Sequence, residues 1–363
     1  MRFLISIMRA VATCILVQQL SATVADAQVV CDQQNRLSRP IRLGVSGGSI
    51  NSFETFRQQR FCFGGTLGSL VEDSAGQYIL SNNHILARTN KARPGEPIVQ
   101  PGLVDNNCMR QPSDIVATLS RAVKVSFNRR RPNTIDAAIA AVNPGDVDSQ
   151  IRNIGPISST TLAPSPGLSV QKMGRTTCLT TGSIQAVGVS AIVSYNDFNP
   201  RKKRARFVNQ IVTSSSFSSP GDSGSLIVTN ESCPRAVGLL FAGSSDGTTI
   251  ANPISNVLSG LGVTMVGSCS AAPSSAAEIA QDNMGVPTEA VTSATAVRDR
   301  HSAELMSIPG AVGTGIGIAD QPGQAAIEVY VKQITPEIKA AAPTRLEGLP
   351  VRLVETKGGF VAY

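Results

Sequence analysis

Ser223 sits between glycines in Ser219-Pro220-Gly221-Asp222-Ser223-Gly224-Ser225-Leu226-Ile227-Val228. Glycines on both sides suit a sharp turn that exposes a hydroxyl and lets backbone approach a substrate carbonyl closely. The apolar run Leu226 to Val228 predicts a buried strand that holds the turn from behind. A serine hydroxyl is a weak nucleophile at neutral pH and needs a neighbouring base, which itself needs an orienting carboxylate. The chain has two histidines, His84 and His301. His84 closes the polar turn Ser81-Asn82-Asn83-His84 after a predicted strand from Gln77 to Leu80, a good place to present an imidazole. His301 shares helical spacing with Val297, Leu305 and Ile308, so it reads as a half-buried packing residue. Two carboxylates are candidates for the orienting role. Asp136 opens Asp-Ala-Ala-Ile-Ala and Asp114 opens Asp-Ile-Val-Ala. Asp136 is preferred because more strands lie between it and His84.

These residues must be positioned by the elements around them, and composition narrows what those elements are. A chain of 363 residues favours two or three compact units. With 42% apolar and 16% charged residues it can bury substantial cores, while 32 glycines and 21 prolines favour β structure with many turns. Residues 1–27 read as a secretory signal: Arg2 and Arg9 precede an apolar segment from Ala10 to Val17, and Ala25-Asp26-Ala27 is a small-x-small cleavage site. That apolar segment is too short to span a bilayer, so no membrane association is expected after its removal. The localisation implied is secreted or periplasmic. The six cysteines beyond the signal, Cys31, Cys62, Cys108, Cys178, Cys233 and Cys269, suggest disulfides of unresolved connectivity, and their wide spacing lacks the pattern of a metal site. Formal net charge is +7. Its basic clusters, Arg129 to Arg131 and Arg201 to Arg204 with Arg206, fall among Pro and Asn without stacking aromatics, so they read as solvated loops and not as a nucleic-acid surface.

Short apolar pieces broken by glycine from Ile41 to Val71 are written like a barrel of short strands. Further strands are expected over Ile98 to Val104, Ile115 to Leu119 and Ile135 to Val142, before the break at Asn143-Pro144-Gly145-Asp146. The second half repeats the style over Leu168 to Met173, Gly182 to Val189, Ala191 to Tyr195, Arg206 to Thr213, Leu226 to Val228 and Ala236 to Ala242. The organisation expected is a first β-barrel over 28–146, a second over 147–269, an Ala/Ser/Pro linker over 270–292, and a small α+β domain of unknown role over 293–363. In that last unit Gly313 to Gly317 forms a Gly-x-Gly-x-Gly run without the spacing of a dinucleotide loop, so no cofactor is expected.

The order His84, Asp136, Ser223, together with Asp-Ala-Ala-Ile-Ala and Gly-Asp-Ser-Gly, resembles the trypsin-like, chymotrypsin-fold serine peptidases over roughly residues 40–267. Ser81-Asn82-Asn83-His84-Ile85-Leu86 and Gly174-Arg175-Thr176-Thr177 are more similar to a bacterial secreted branch, and to plant protease-like proteins, than to animal digestive enzymes. The resemblance implies a mainly β chain with a chymotrypsin-like double antiparallel β-barrel, six strands to each barrel, and a site in the cleft between them. It implies a serine endopeptidase that acts on polypeptide, with His84 as base and then acid, Asp136 holding its tautomer, and Ser223 forming the acyl-enzyme. Backbone N–H groups of Gly221 and Ser223 would form the oxyanion hole. Phe217, six residues before the nucleophile, would lie at the base of the specificity pocket, where an acidic residue would have attracted Arg or Lys; a small or apolar side chain is expected instead. Animal members switch on when a new N-terminal ammonium pairs with the aspartate before the nucleophile, here Asp222. The nearest match to such a terminus, Val45-Ser46-Gly47-Gly48, follows Gly44 and not a basic residue, so competence without cleavage is expected. Ile85 and Ser225 depart from the family pattern without removing a catalytic group. The rival reading is a non-catalytic peptide- or protein-binding module on the same fold, and oligomeric state is left open.

Overall fold

In the computed structural model, residues 32–128, 130–143, 145–195, 203–270, 285–321 and 323–362 are described. The expected signal over 1–27, Cys31, Arg129, Arg201, Lys202 and most of the expected linker lie outside them.

The first barrel is built from β1 (Val45–Ser49), β2 (Gly65–Leu67), β3 (Ser69–Asp73), β4 (Gly76–Ser81), β5 (Pro97–Val99), β6 (Ile115–Ala122) and β7 (Ala138–Val142). Its hydrogen-bonded order runs β3-β4-β7-β6-β5-β1-β2. The short strand Thr264–Met265 adds outside β3, and since β2 and β3 are consecutive in the chain with only Gly68 between them, they act as one bent strand and the sheet curls round on itself as six antiparallel strands. Asp73 sets the β3–β4 hairpin by accepting a bond from the Ala75 amide at 2.8 Å.

The second barrel comprises β8 (Ser169–Gly174), β9 (Cys178–Tyr195), β10 (Lys203–Thr213), β11 (Leu226–Thr229), β12 (Ala236–Gly243) and β13 (Thr249–Pro253). Its order β8-β11-β12-β13-β10-β9 closes by a further pairing of β8 with β9, a complete ring of six. The strands expected over 182–189 and 191–195 are one strand, since register shifts around Gly188, at φ 61°, are absorbed as bulges while pairing with β10 continues. Helix α1 (Asn83–Leu86) follows β4, and α2 (Ile254–Leu261) follows β13 and ends at Gly262 in the left-handed region.

Beyond the second barrel, α3 (Thr288–Arg300) begins inside the span expected as linker and breaks at His301 before α4 (Ser302–Ser307). Strands β14 (Ala311–Ile318), β15 (Ala325–Val331), β16 (Leu349–Glu355) and β17 (Phe360–Ala362) follow, with α5 (Pro336–Ala341) between β15 and β16. Thr335 caps α5 through its side chain, with Pro336 at the first helical position, as its sequence suggests. The Gly313 to Gly317 run lies within β14. These strands do not make a sheet of their own. β14 pairs with β9, and β15 and β16 extend the same sheet outward.

Disulfides join Cys62 to Cys108 and Cys233 to Cys269, and Cys178 is also disulfide-bonded. Among the described residues, no helix is long and apolar enough to cross a membrane.

Candidate active site

Register brings His84 and Asp136 together. β4 and β7 are antiparallel, with Ser81 opposite Ala138. Past that pair the chain runs forward through Asn82 and Asn83 to His84 on one side, and backward through Ala137 to Asp136 on the other, so both side chains emerge at one end of the barrel. His84 Nδ1 lies 2.8 Å from Asp136 Oδ2, and the His84 amide donates to Oδ1 at 3.2 Å. Tyr195, the last residue of β9, donates its hydroxyl to Oδ2 at 2.7 Å. Backbone on either side is held as well: Asn82 donates to the Asp136 carbonyl at 2.8 Å, and the Asp136 amide donates to Asn252 at 2.9 Å. Asn252 in turn donates to Gln210 at 2.6 Å, so the carboxylate is anchored to both barrels.

Asp136 has no solvent exposure. Burial pushes its carboxyl pKa up, but the His84 charge, the two His84 bonds and the Tyr195 hydroxyl outweigh that and hold it below the ordinary carboxylate value. The same contacts act on Tyr195 in reverse, since burial and then the neighbouring carboxylate push its phenol well above 10.

Ser223 is placed by the second barrel. The ladder Leu226 to Leu239 between β11 and β12 continues as bonds from the Leu240 amide to the Ser225 carbonyl and from the Gly224 amide to the Leu240 carbonyl. That register sets Ser223 beside Phe241, and its hydroxyl donates to the Phe241 carbonyl at 3.0 Å. Strand β2 bridges the two halves: the Thr66 amide donates to the Ser223 carbonyl at 2.7 Å, and the Thr66 hydroxyl to the Gly221 carbonyl at 3.1 Å. Gly65 shows how tight this seam is. A Cβ there would lie 2.5 Å from Ile85, next to His84, and 2.8 Å from the Ser223 carbonyl. Gly221 adopts φ 103° and Gly224 φ 95°, the left-handed region that favours glycine. Among the described residues, no hydrogen bond from the Gly221 or Ser223 amide to a protein acceptor is present.

Beneath the loop lies a buried ion pair. Asp222 accepts from the amides of Thr176 at 2.8 Å, Thr177 at 3.2 Å and Ser219 at 3.0 Å, and from the Thr177 hydroxyl at 2.6 Å. Its cation is Lys172, whose ammonium stands 3.3 Å away, also bonds the Cys178 carbonyl at 3.1 Å and touches the Thr177 hydroxyl. Both side chains are fully buried. Burial pushes the Lys172 pKa down and Asp222 only partly restores it. Val45, the alternative source of an ammonium, is a fully buried residue of β1. A fork from Arg175 to Asp105, at 2.6 and 2.5 Å, pins the neighbouring turn.

No family model matches the chain, and no curated protein matches it either. The solved structures that match are bacterial serine proteases. A glutamic acid-specific serine protease that uses a histidine triad in substrate binding is 19% identical, with 62% of this chain and all of that one covered at a TM-score of 0.41. Protease A of Thermobifida fusca is 18% identical, with 63% and 100% covered at 0.41. A chymotrypsin of Cellulomonas bogoriensis is 20% identical, with 63% and 100% covered at 0.39.

The other candidates lie elsewhere. Asp114 is held by Arg36 at 2.9 Å and Asn106 at 2.8 Å, away from His84. His301 is not a packing residue on an apolar stripe; it terminates α3 and its ring nitrogens face Glu304 at 2.9 Å and Glu347 at 3.1 Å. Phe217 is fully buried in the second barrel's core with Val170, Ile184, Ile211 and Leu240, and its carbonyl accepts from the Thr180 hydroxyl. Lys172, Tyr195 and Asn252 were not singled out from sequence. Lys172 carried a signal: in Ser169–Gly174 it alternates in phase with Val170, which puts a lysine on the inward face of a strand.

Proposed function

We propose that the chain is an exported serine endopeptidase whose nucleophile is Ser223, with His84 as base and Asp136 as its orienting carboxylate. The observation that carries this reading is the buried Asp136 carboxylate against His84 Nδ1 at 2.8 Å, which also accepts from the His84 amide and the Tyr195 hydroxyl. Such a partner fixes the tautomer with the proton on Nδ1 and makes Nε2 the basic nitrogen. In this reading the Ser223 hydroxyl, which donates to the Phe241 carbonyl at 3.0 Å, must turn from that carbonyl to pass its proton to Nε2.

In the reaction, Ser223 Oγ bonds to the peptide carbonyl carbon as its proton passes to His84 Nε2. The carbonyl oxygen becomes an oxyanion that accepts from the Gly221 and Ser223 amides, while Asp136 stabilises the imidazolium. Collapse breaks the C–N bond, and His84 returns the proton to the departing amine. Water repeats the sequence on the acyl-enzyme, releasing the acid and restoring serine. The disulfides at Cys62–Cys108, Cys233–Cys269 and Cys178 support an oxidising compartment. Labelling with a fluorophosphonate tests the reading: an adduct on Ser223 that is lost in His84→Ala is expected, and labelling that persists without the imidazole would contradict it.

A further inference from the structure

Strand β17 occupies an unusual place. It pairs in parallel with the end of β9, Phe360 opposite Val193 and Ala362 opposite Tyr195, and antiparallel with the end of β12, Val361 opposite Gly243 and Ala362 opposite Ala242. β9 and β12 are not neighbours in the ring of the second barrel. β17 therefore fills a slot between two strand ends, each of which carries part of the candidate site. The β12 segment follows directly on Phe241, whose carbonyl holds the Ser223 hydroxyl, and the β9 segment ends in Tyr195, which holds Asp136. Ala362 itself lines a cavity of about 150 Å³ with His84, Ile85 and Tyr195. Ser223 has no solvent exposure.

The slot is filled by design of the preceding chain. β14 fastens to β9, β15 and β16 build outward from it, and a turn with three successive positive φ values, Lys357 at 44°, Gly358 at 110° and Gly359 at 101°, sends the chain back into the slot. Ser245, just past β12, donates to the Lys357 carbonyl at 3.0 Å, and the Gly358 amide to the Lys332 carbonyl at 3.0 Å. Phe360 is the anchor. It is 2% exposed, sits in one core cluster with Phe207, Phe241 and Tyr330, and meets the Tyr330 ring edge to face at 5.7 Å. A strand edge with unpaired amides and carbonyls is where an extended peptide adds by main-chain hydrogen bonds.

Resting on the peptidase reading above, we propose that residues 360–362 are an intramolecular inhibitor: they take the β12 edge that an extended substrate peptide would need, and the chain gains activity only when β17 leaves its slot. A peptide cannot pair with Ala242 and Gly243 while β17 does. The occupant and the substrate compete for the same main-chain groups.

The test uses the full chain with Val361→Pro, which removes one amide donor from the strand, and separately Phe360→Ala, which removes the anchor. Two quantities are read: hydrogen exchange at residues 193–195 and 242–243, and the rate at which a fluorophosphonate labels Ser223. Unchanged exchange protection in β6 and β7 shows that each variant is folded. The expected result is faster exchange at the slot with at least a tenfold gain in labelling rate in both variants. Faster exchange with the labelling rate of the unaltered chain would overturn the inhibition while leaving the peptidase reading intact. No labelling in any of the three proteins, with the slot open, would overturn the peptidase reading and the inhibition with it.

Discussion

Among the described residues, two aspartates are completely buried beside a basic side chain, and the two pairs are built for different ends. Asp136, at the rim of the first barrel, faces an imidazole whose charge can come and go. Asp222, under the loop of the second barrel, faces a lysine sealed from solvent and is also held by three amides and a hydroxyl. A titrating partner lets the first pair follow a proton during a reaction. The buried ammonium and the amide and hydroxyl donors hold the second carboxylate in place, which suits a loop that must keep Gly221 and Ser223 in fixed positions. The first pair is expected to govern rate, and the second to govern folding of the loop.

That division can be broken most sharply at Asp136. Asp136→Asn keeps the size of the side chain but exchanges an acceptor for a donor toward His84, favouring the wrong tautomer. Labelling of Ser223 should slow by about 10,000-fold while the far-ultraviolet spectrum and unfolding midpoint change little. A variant that loses its fold in step with its labelling would erase the distinction between the two pairs. Lys172→Met is the converse. It strands a buried carboxylate, so urea unfolding should show a loss of about 3–5 kcal/mol, and adding Asp222→Asn should recover part of it. A stable Lys172→Met protein would mean that the ammonium does not hold the loop.

The smallest effect is expected at His301, whose surroundings are partly exposed. Bonds to Glu304 and then Glu347 raise its pKa above the ordinary 6.5. Its contribution to stability is therefore fully present below 6.5 and is lost as pH rises through the raised folded value. His301→Gln should flatten the pH dependence of the unfolding midpoint in that window and leave labelling of Ser223 unchanged. Altered labelling would show that this histidine reaches the site after all.

Much of this was legible in the chain. The turn Ser81 to His84, the strand opening at Asp136 and the glycine-flanked serine are local signatures, and each local pattern also states which end of its strand the side chain leaves from. What was not legible depends on partners distant in sequence. Tyr195 is one of several strand residues until the β9 ladder brings its hydroxyl to Asp136, and Asn252 matters because β13 lies beside β10. The helical spacing from Val297 to Ile308 runs over two helices that break at His301, where the ring meets Glu304 and the distant Glu347. Residues 311–362 carry clear strand periodicity, yet alternation says nothing about which free edge a strand will join. In this chain the edge was that of β9, next to the site, and β17 came with it.

The account stands or falls on whether Ser223 is chemically activated by His84. The most direct measurement is mass-spectrometric mapping of a fluorophosphonate adduct on the full chain, beside His84→Ala and Ser223→Ala. A single adduct on Ser223, slow to form in the unaltered chain and missing from both variants, is the predicted result. Equal labelling with and without the imidazole, or no adduct after prolonged exposure even in Val361→Pro with the slot open, would contradict it.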